Sequence, residues 1–110
     1  MRRRLFLLMI TIFLLTACGG ESAAPADDGI LQITTTTSMI TDITKVVGGE
    51  HVQVTGLMGA GIDPHLYVAS EGDMELLQEA DIIFYNGLLL EAQMAEILEQ
   101  IGERKTVVAI

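Results

Sequence analysis

Short apolar runs with the spacing of strands alternate with longer amphipathic segments from residue 30 to the end of the chain. Runs rich in β-branched residues, or alternating between apolar and polar positions, predict strands over 30–36, 51–57, 81–85 and 106–110. The third run is continuously apolar, which is typical of a strand covered by helices on both faces. The segments between the four strands are long enough to hold helices.

The first segment between strands predicts an amphipathic helix. Thr37 or Ser38 can cap its start, and Gly48-Gly49 is expected to end it. The residues at helical spacing that are expected to face the sheet are Met39, Ile40, Ile43, Val46 and Val47.

Two further helices are predicted between the second and fourth strands. The first begins at Ser70, where Ser70-Glu71-Gly72-Asp73 matches a capping box, and runs to about Ala80. The second is a longer helix that begins near Leu90 and ends at Gly102. The expected inward residues are Met74 and Leu77 in the first, and Leu90, Met94, Ile97, Leu98 and Ile101 in the second.

The resulting order, βαβαβαβ, favours an α/β fold with a parallel sheet and right-handed crossovers. The sequence ends at Ile110 inside an apolar strand, with no covering helix after it. We therefore expect residues 30–110 to be an incomplete N-terminal lobe of a longer protein.

The first 29 residues have the composition of a leader and a tether. Three arginines follow Met1, an apolar run spans 5–15, and Leu15-Thr16-Ala17-Cys18 forms a small-residue cleavage site. The apolar run is shorter than the roughly 20 residues that cross a bilayer. The pattern resembles a bacterial lipobox, and the alternative is an ordinary secretory leader with a cysteine nearby by chance.

We therefore expect a lipoprotein signal peptide over 1–17, lipidation at Cys18 and a flexible tether through residue 29. More than one acyl chain holds such a protein stably on a membrane. The predicted location is outside the cytoplasm, on the cell membrane, facing the periplasm or the cell exterior. Cys18 is the one cysteine, so neither an internal disulfide nor a thiolate metal cluster is possible in this chain.

The charge of the chain narrows the possible partners. The formal net charge is −9, and loss of the three leader arginines leaves 3 basic against 15 acidic residues, or −12. No basic stripe remains to meet phosphates, so nucleic acid is excluded as an expected partner. An acidic surface suits a soluble protein that repels its own kind or works near cations, and we expect a monomer.

The segment 56–67 is the main candidate for chemistry. Its three glycines permit tight turns and Pro64 fixes the backbone, so it predicts a stiff loop. The loop follows a predicted strand, and ligands of open α/β sheets bind at the carboxyl ends of strands. His65 is therefore the candidate metal ligand, since histidine is the commonest metal-binding side chain near neutral pH. A hydrogen-bonded surface histidine is the alternative.

Two residues flank this candidate ligand. Asp63 is expected to form an Asx turn with the backbone. Alternatively, it could act as an outer-shell carboxylate that fixes the tautomer of His65. Tyr67 is expected to pack over the base of the loop.

The other polar residues near the predicted strand ends have simpler interpretations. His51 is expected to be a solvated edge residue, and Asn86-Gly87 to be a turn. Glu91 falls in the predicted first turn of a helix, where an acid complements the helix dipole. Neither a nucleotide-binding glycine motif nor a nucleophile elbow is present, so the sequence predicts no enzyme.

Several segments together resemble one family. The lipobox is followed by ITTTTSMITDITKVVGG, then GLMGAGIDPHLY, then EGDMELLQEADIIFYNGLLLE. This arrangement resembles the TroA-like branch of the zinc/manganese substrate-binding lipoproteins of metal ABC transporters, over essentially all of residues 30–110. The resemblance implies the N-terminal lobe of a two-lobed periplasmic-binding-protein-like fold, with a long rigid helix joining the lobes and one metal ion between them.

The resemblance also implies a function, which is capture of zinc or manganese as cargo for an ABC permease in the membrane. Its first ligand is the histidine of the DPH element, His65, and the others lie beyond Ile110. A zinc site needs three or four protein ligands, so this chain would hold only the first. The alternatives are a surface adhesion or interaction lipoprotein with a structural His65 and, less favoured, a small exported metallohydrolase with Asp63 as its base.

Overall fold

The computed structural model describes residues 29–110 of the chain, so the predicted lipobox, Cys18 and the predicted tether up to residue 28 lie outside the described residues. The described part contains a parallel sheet of β1 (Leu31–Thr35), β2 (Val52–Gly56), β3 (Ile82–Tyr85) and β4 (Thr106–Ala109). Its strand order is β2-β1-β3-β4. The predicted α/β class with a parallel sheet is confirmed.

Three helices connect these strands, namely α1 (Ser38–Gly48), α2 (Glu71–Glu79) and α3 (Ala95–Gly102). Single turns of 3-10 helix over Gly49–His51 and Ala92–Met94 lie after α1 and before α3. In the described part of the chain, no helix has the length and hydropathy needed to cross a membrane.

The main core lies where β3 meets α2 and α3. Leu77, Ile83 and Met94 are completely buried there, and Leu98 is nearly so. The predicted inward positions of α2 are therefore confirmed, and so are those of the last helix at Met94, Ile97, Leu98 and Ile101. Leu90, which the sequence predicts to face inward with them, is not part of this cluster. Met58, from the loop after β2, lies in the same cluster and anchors the start of that loop in the core.

The inward face of α1 differs from the prediction. Met39 and Ile43 are 61% exposed, and Val46 and Val47 are more than 80% exposed. Of the predicted set only Ile40 is buried, and the other buried residues of the helix are Thr41 and Thr44.

Close packing of α1 on β2 explains this choice of face. A Cβ at Gly56 would collide with the side chain of Thr41, so the missing side chain lets the helix approach the strand. The buried Thr41 hydroxyl donates to the carbonyl of Thr37 at 2.8 Å and lies 2.7 Å from the hydroxyl of Thr35. Because these partners satisfy the hydroxyl, its burial is tolerated, and the larger apolar side chains point outward.

The predicted long helix over 90–102 is shorter in the structure. Gly87, Leu88 and Leu89 have positive φ values of 74°, 48° and 62°. Leu90 belongs to this turn, since its N–H donates to the carbonyl of Gly87 at 3.0 Å. A left-handed turn cannot continue into a right-handed helix, so α3 begins only after Glu91 and the 3-10 turn.

We expect Gly56→Ala in the full-length protein to lower the free energy of unfolding by about 1–3 kcal/mol, because the new Cβ would push Thr41 and α1 away from β2. Gly59→Ala is the matched control, since a Cβ at Gly59 meets no atom within 4 Å. Urea denaturation followed by circular dichroism measures both changes. Equal stabilities for the two variants would contradict the close approach of α1.

Candidate metal centre

Loops from three strands meet at the carboxyl edge of the sheet. They follow β1 at residues 36–37, β2 at 57–70 and β3 at 86–91. His65 lies in the loop after β2, on the side of the sheet that the sequence predicts. Its role as a metal ligand stays a prediction at this point.

The geometry around His65 is set by Asp63. The carboxylate oxygen Oδ1 of Asp63 accepts from the backbone N–H of His65 at 3.0 Å and lies 3.0 Å from His65 Nδ1. The two roles that the sequence offered for Asp63, an Asx turn and a ring contact, therefore coexist. Hydrogen bonds from the backbone and the ring of His65 lower the pKa of Asp63, which keeps the carboxylate ionised.

This contact determines which ring nitrogen is free. An ionised carboxylate is an acceptor only, so it favours the tautomer of His65 that carries its proton on Nδ1. The lone pair of Nε2 is then available to a ligand. The side chain of His65 is 64% exposed, so a cation can reach it from solvent.

The start of the His65 loop is fixed to β1. The N–H groups of Leu57 and Met58 donate to the carbonyls of Thr35 and Thr36, both at 2.9 Å. These bonds extend the β1–β2 pairing beyond Gly56 and into the loop. Within the loop, Gly61 has a φ of 81°, a left-handed conformation that a side chain would strain.

The end of the loop is fixed to α2 by the predicted capping box, which the structure confirms. Asp73 Oδ2 accepts from the N–H and the hydroxyl of Ser70 at 2.8 and 2.7 Å, and from the hydroxyl of Tyr67 at 2.7 Å. The Tyr67 hydroxyl also lies 3.3 Å from the carbonyl oxygen of Leu57, and the ring packs at the base of the loop, as predicted. The two ends of the loop are thus tied to each other through Tyr67.

These contacts shift two pKa values in opposite directions. Burial, followed by the hydrogen bond to Asp73, raises the pKa of Tyr67 to about 12, so the phenol remains a donor. Partial burial works to raise the pKa of Asp73, but hydrogen bonds from Ser70 and Tyr67 outweigh it and lower the pKa.

A buried polar cluster lies beside this loop. Glu91 is 2% exposed, and its Oε1 accepts from the Thr36 hydroxyl at 2.5 Å and from the backbone and side-chain N–H groups of Asn86 at 2.9 and 2.8 Å. Asn86 also donates to the Thr37 hydroxyl at 3.1 Å, so Thr37 does not cap α1 with its side chain. Asn86 therefore does more than form a turn.

The sequence interpretation of Glu91 as a helix-dipole partner is wrong, because its carboxylate is buried among hydroxyl and amide donors. Burial acts to raise the pKa of Glu91, but hydrogen bonds from Asn86 and Thr36 outweigh it and hold the pKa below the usual value. The four successive threonines over 34–37 were the available sequence signal, since buried hydroxyls need acceptors.

The turn that leads into Glu91 is strained. Left-handed φ values at Leu88 and Leu89 cost roughly 1–2 kcal/mol for each residue. Such strain persists only where surrounding contacts hold it in place. Contacts of this kind on either side of the two leucines are the Leu90 N–H to Gly87 carbonyl bond and the hydrogen bonds of Glu91.

Among residues 29–110, no group of three histidine, cysteine, aspartate or glutamate side chains is close enough to hold a metal ion. His51 lies at the amino end of β2, at the opposite edge of the sheet from His65, and is exposed as predicted. The described residues therefore supply one well-oriented imidazole rather than a closed site, which needs three or four ligands.

A family described as zinc-uptake complex component A, periplasmic, matches residues 33–110. The manganese-binding lipoprotein MntA of Bacillus subtilis (strain 168) is 48% identical over 103 residues, which cover 94% of this chain and 34% of the relative. The zinc-binding protein TroA of Treponema pallidum (strain Nichols) is 41% identical over 113 residues, which cover 99% of this chain and 36% of the relative.

The fold agrees with these matches. The solved structure of the periplasmic zinc-binding protein TroA from Treponema pallidum superposes with a TM-score of 0.71 and 46% identity, covering 74% of this chain and 29% of that chain. The chain thus spans about a third of the length of MntA and TroA. Those two relatives are named for different metals.

We expect Asp73→Ala in the full-length protein to lower the free energy of unfolding at neutral pH by about 1–2 kcal/mol, because the cap of α2 and the Tyr67 contact are lost. The folded-state pKa of Asp73 lies below its unfolded value. Its contribution is therefore complete above a pH of about 3.9 and is lost as the pH falls through the folded pKa.

Urea denaturation of wild type and variant over a series of pH values checks both parts of this prediction. Glu75→Ala, an exposed acid on the same helix, is the matched control. A stability difference that stays constant down to low pH, or that the control reproduces, would contradict the role assigned to Asp73.

Proposed function

The chain belongs to the zinc-uptake complex component A family, and on that premise we propose that it supplies the first ligand of an extracytoplasmic site for zinc or manganese. The observation that carries the proposal is the orientation of His65. Its Nδ1 is held by the carboxylate of Asp63, its ring is open to solvent, and it stands at the carboxyl edge of a parallel sheet. Neutral imidazole with one nitrogen oriented in this way is a good ligand for either metal.

The remaining ligands are proposed to come from parts of the full-length protein outside these 110 residues. Residues 29–110 hold no group of three potential ligands, and the relatives are about three times as long as this chain. Zinc favours nitrogen-rich sets and manganese favours carboxylates. The metal preference is therefore expected to reside in those other ligands.

The anchored loop suits reversible capture of a metal ion, which is bound and released unchanged. Hydrogen bonds fix both ends of the loop, to β1 at Leu57 and Met58 and to α2 through Tyr67 and Asp73. A ligand that is already oriented loses little conformational entropy on binding. The metal is then cargo, passed to an ABC permease in the membrane, and no catalytic step is proposed.

The site is proposed to work outside the cytoplasm, with the protein held on the membrane through lipid on Cys18. This proposal rests on the lipobox-like sequence and on the name of MntA, which is a lipoprotein. The tether over 19–29 would separate the lobe from the lipid surface.

The adhesion alternative requires His65 to be a structural residue. A structural histidine is expected to be packed against neighbouring elements, whereas the ring of His65 is 64% exposed and contacts a carboxylate two residues away. This geometry favours the ligand role.

We expect His65→Ala in the full-length protein to weaken zinc and manganese binding by more than about 100-fold, since loss of an outer-shell partner alone commonly costs 10- to 100-fold. The fold should be retained, because the ring is exposed. Isothermal titration with each metal measures the affinity. His51→Ala, at the opposite edge of the sheet, is the control and should bind normally; an unchanged affinity in His65→Ala would refute the assignment.

Asp63→Ala is expected to weaken metal binding by about 10- to 100-fold, because the ring loses the acceptor that orients it. Asp63→Asn should have a smaller effect, since its amide oxygen can still accept from the backbone of His65. Asp42→Ala removes an exposed acid from α1 and serves as the charge-matched control. If Asp42→Ala and Asp63→Ala weaken binding equally, general loss of negative charge explains the effect and the orienting role is wrong.

A further inference from the structure

Glu91 is a buried carboxylate whose position is unusual. It is 2% exposed, and in the described part of the chain it forms no ion pair. Three hydrogen bonds converge on its Oε1, while Oε2 is buried without a partner among the described residues. Burying a carboxylate costs free energy that an apolar side chain of similar size would not. Glu91 is therefore expected to have a role that an apolar side chain could not fill.

The donors to Glu91 come from the exits of the two central strands. Thr36 follows β1 and Asn86 follows β3, and these strands lie side by side in the middle of the sheet. A second bond, from the side chain of Asn86 to the hydroxyl of Thr37, links the same two exits. Glu91 therefore clamps the two loops where they leave the sheet.

Thr36 connects this clamp to the His65 loop. Its hydroxyl donates to Glu91, and its backbone carbonyl accepts from the N–H of Met58, the second residue of the loop. Met58 is itself 3% exposed and belongs to the core. Any movement of Thr36 would therefore shift the point from which the loop departs.

The backbone before Glu91 supports the same conclusion. Leu88 and Leu89 keep left-handed φ values although both side chains are exposed and gain no burial in return. Glu91 follows this turn closely, and its carboxylate reaches Thr36 and Asn86 at the exits of β1 and β3. Backbone strain of this kind is concentrated near functional sites, where it holds a particular side chain in place.

From these contacts we propose that Glu91 is a positioning residue of the metal site, an inference that rests on the proposed function. By holding Thr36 and Asn86, it fixes where the His65 loop leaves the sheet, and so fixes the place of the imidazole. It does not touch the metal.

The test compares three variants of the full-length protein, Glu91→Ala, Glu91→Gln and Thr36→Val. Glu99→Ala, an exposed acid on α3, is the matched control. Circular dichroism establishes folding, and titration with zinc measures affinity. The absorption spectrum with cobalt(II) reports the geometry of the site, which a purely structural role in stability would leave unchanged.

We expect folded Glu91→Ala to bind zinc about tenfold more weakly, comparable to loss of an outer-shell partner, with an altered cobalt spectrum. Glu91→Gln should recover most of the affinity, because its amide oxygen can accept from the same donors. If Glu91→Ala does not fold, Thr36→Val decides, since it removes one donor and keeps the shape of the side chain. We expect it to weaken zinc binding and alter the cobalt spectrum.

Two results of these binding and spectroscopic measurements would overturn the proposal. One is a wild-type affinity and cobalt spectrum in folded Glu91→Ala or, should that variant not fold, in Thr36→Val. The other is a loss in Glu91→Gln as large as in Glu91→Ala, which would assign the effect to charge rather than to hydrogen-bonded geometry.

Hydrogen exchange separates this inference from the proposed function. In the metal-free protein, loss of the clamp should speed exchange at the amide of Met58, whereas Glu99→Ala should not. If the wild type binds no metal, the proposed function fails on that ground alone. Unchanged exchange at Met58 in folded Glu91→Ala or, should that variant not fold, in Thr36→Val would instead show that Glu91 does not hold the loop, which would also overturn the inference.

Discussion

The hydrogen bonds made at the carboxyl end of β1 are the contacts on which the rest of the structure depends. The chain leaves the centre of the sheet through four successive threonines, all buried, so every hydroxyl and backbone group there needs a partner inside the protein. These partners come from the loop after β2 and from the segment after β3. The loop after β2 donates to the backbone carbonyls of Thr35 and Thr36. Glu91 accepts from the hydroxyl of Thr36, and Asn86 donates to the hydroxyl of Thr37.

The buried threonines at the end of β1 also determine how α1 packs on the sheet. The Thr35 hydroxyl meets Thr41 on the helix, and Gly56 leaves room for that contact. A small, satisfied hydroxyl permits a closer approach than a branched aliphatic side chain, so the helix turns its threonines inward. Its apolar stripe of Met39, Ile43, Val46 and Val47 is left at the surface. Hydrogen-bond satisfaction has decided the orientation here, against the simple preference for burying apolar area.

The same edge carries the one oriented imidazole of the proposed metal site. A flexible histidine would have to be ordered by each ion that it binds, whereas His65, the proposed ligand, is oriented beforehand by Asp63 in a loop fixed at both ends. The acidic composition of the chain is compatible with a cationic cargo. Relatives in the family are named for manganese and for zinc, which fits a shared first lobe combined with ligands that vary elsewhere.

The sequence by itself determined the fold class, the capping box at Ser70 and the position of His65 at the carboxyl edge, because these follow from local periodicity and turn chemistry. It could not determine which face of α1 is buried, since both faces fit a helical period and the choice depends on Gly56 across the interface. Nor could it find the role of Glu91, whose partners lie up to 55 residues away along the chain. Local patterns fix local geometry, but only tertiary packing decides which polar groups meet, because a buried donor must find its acceptor in space rather than in sequence.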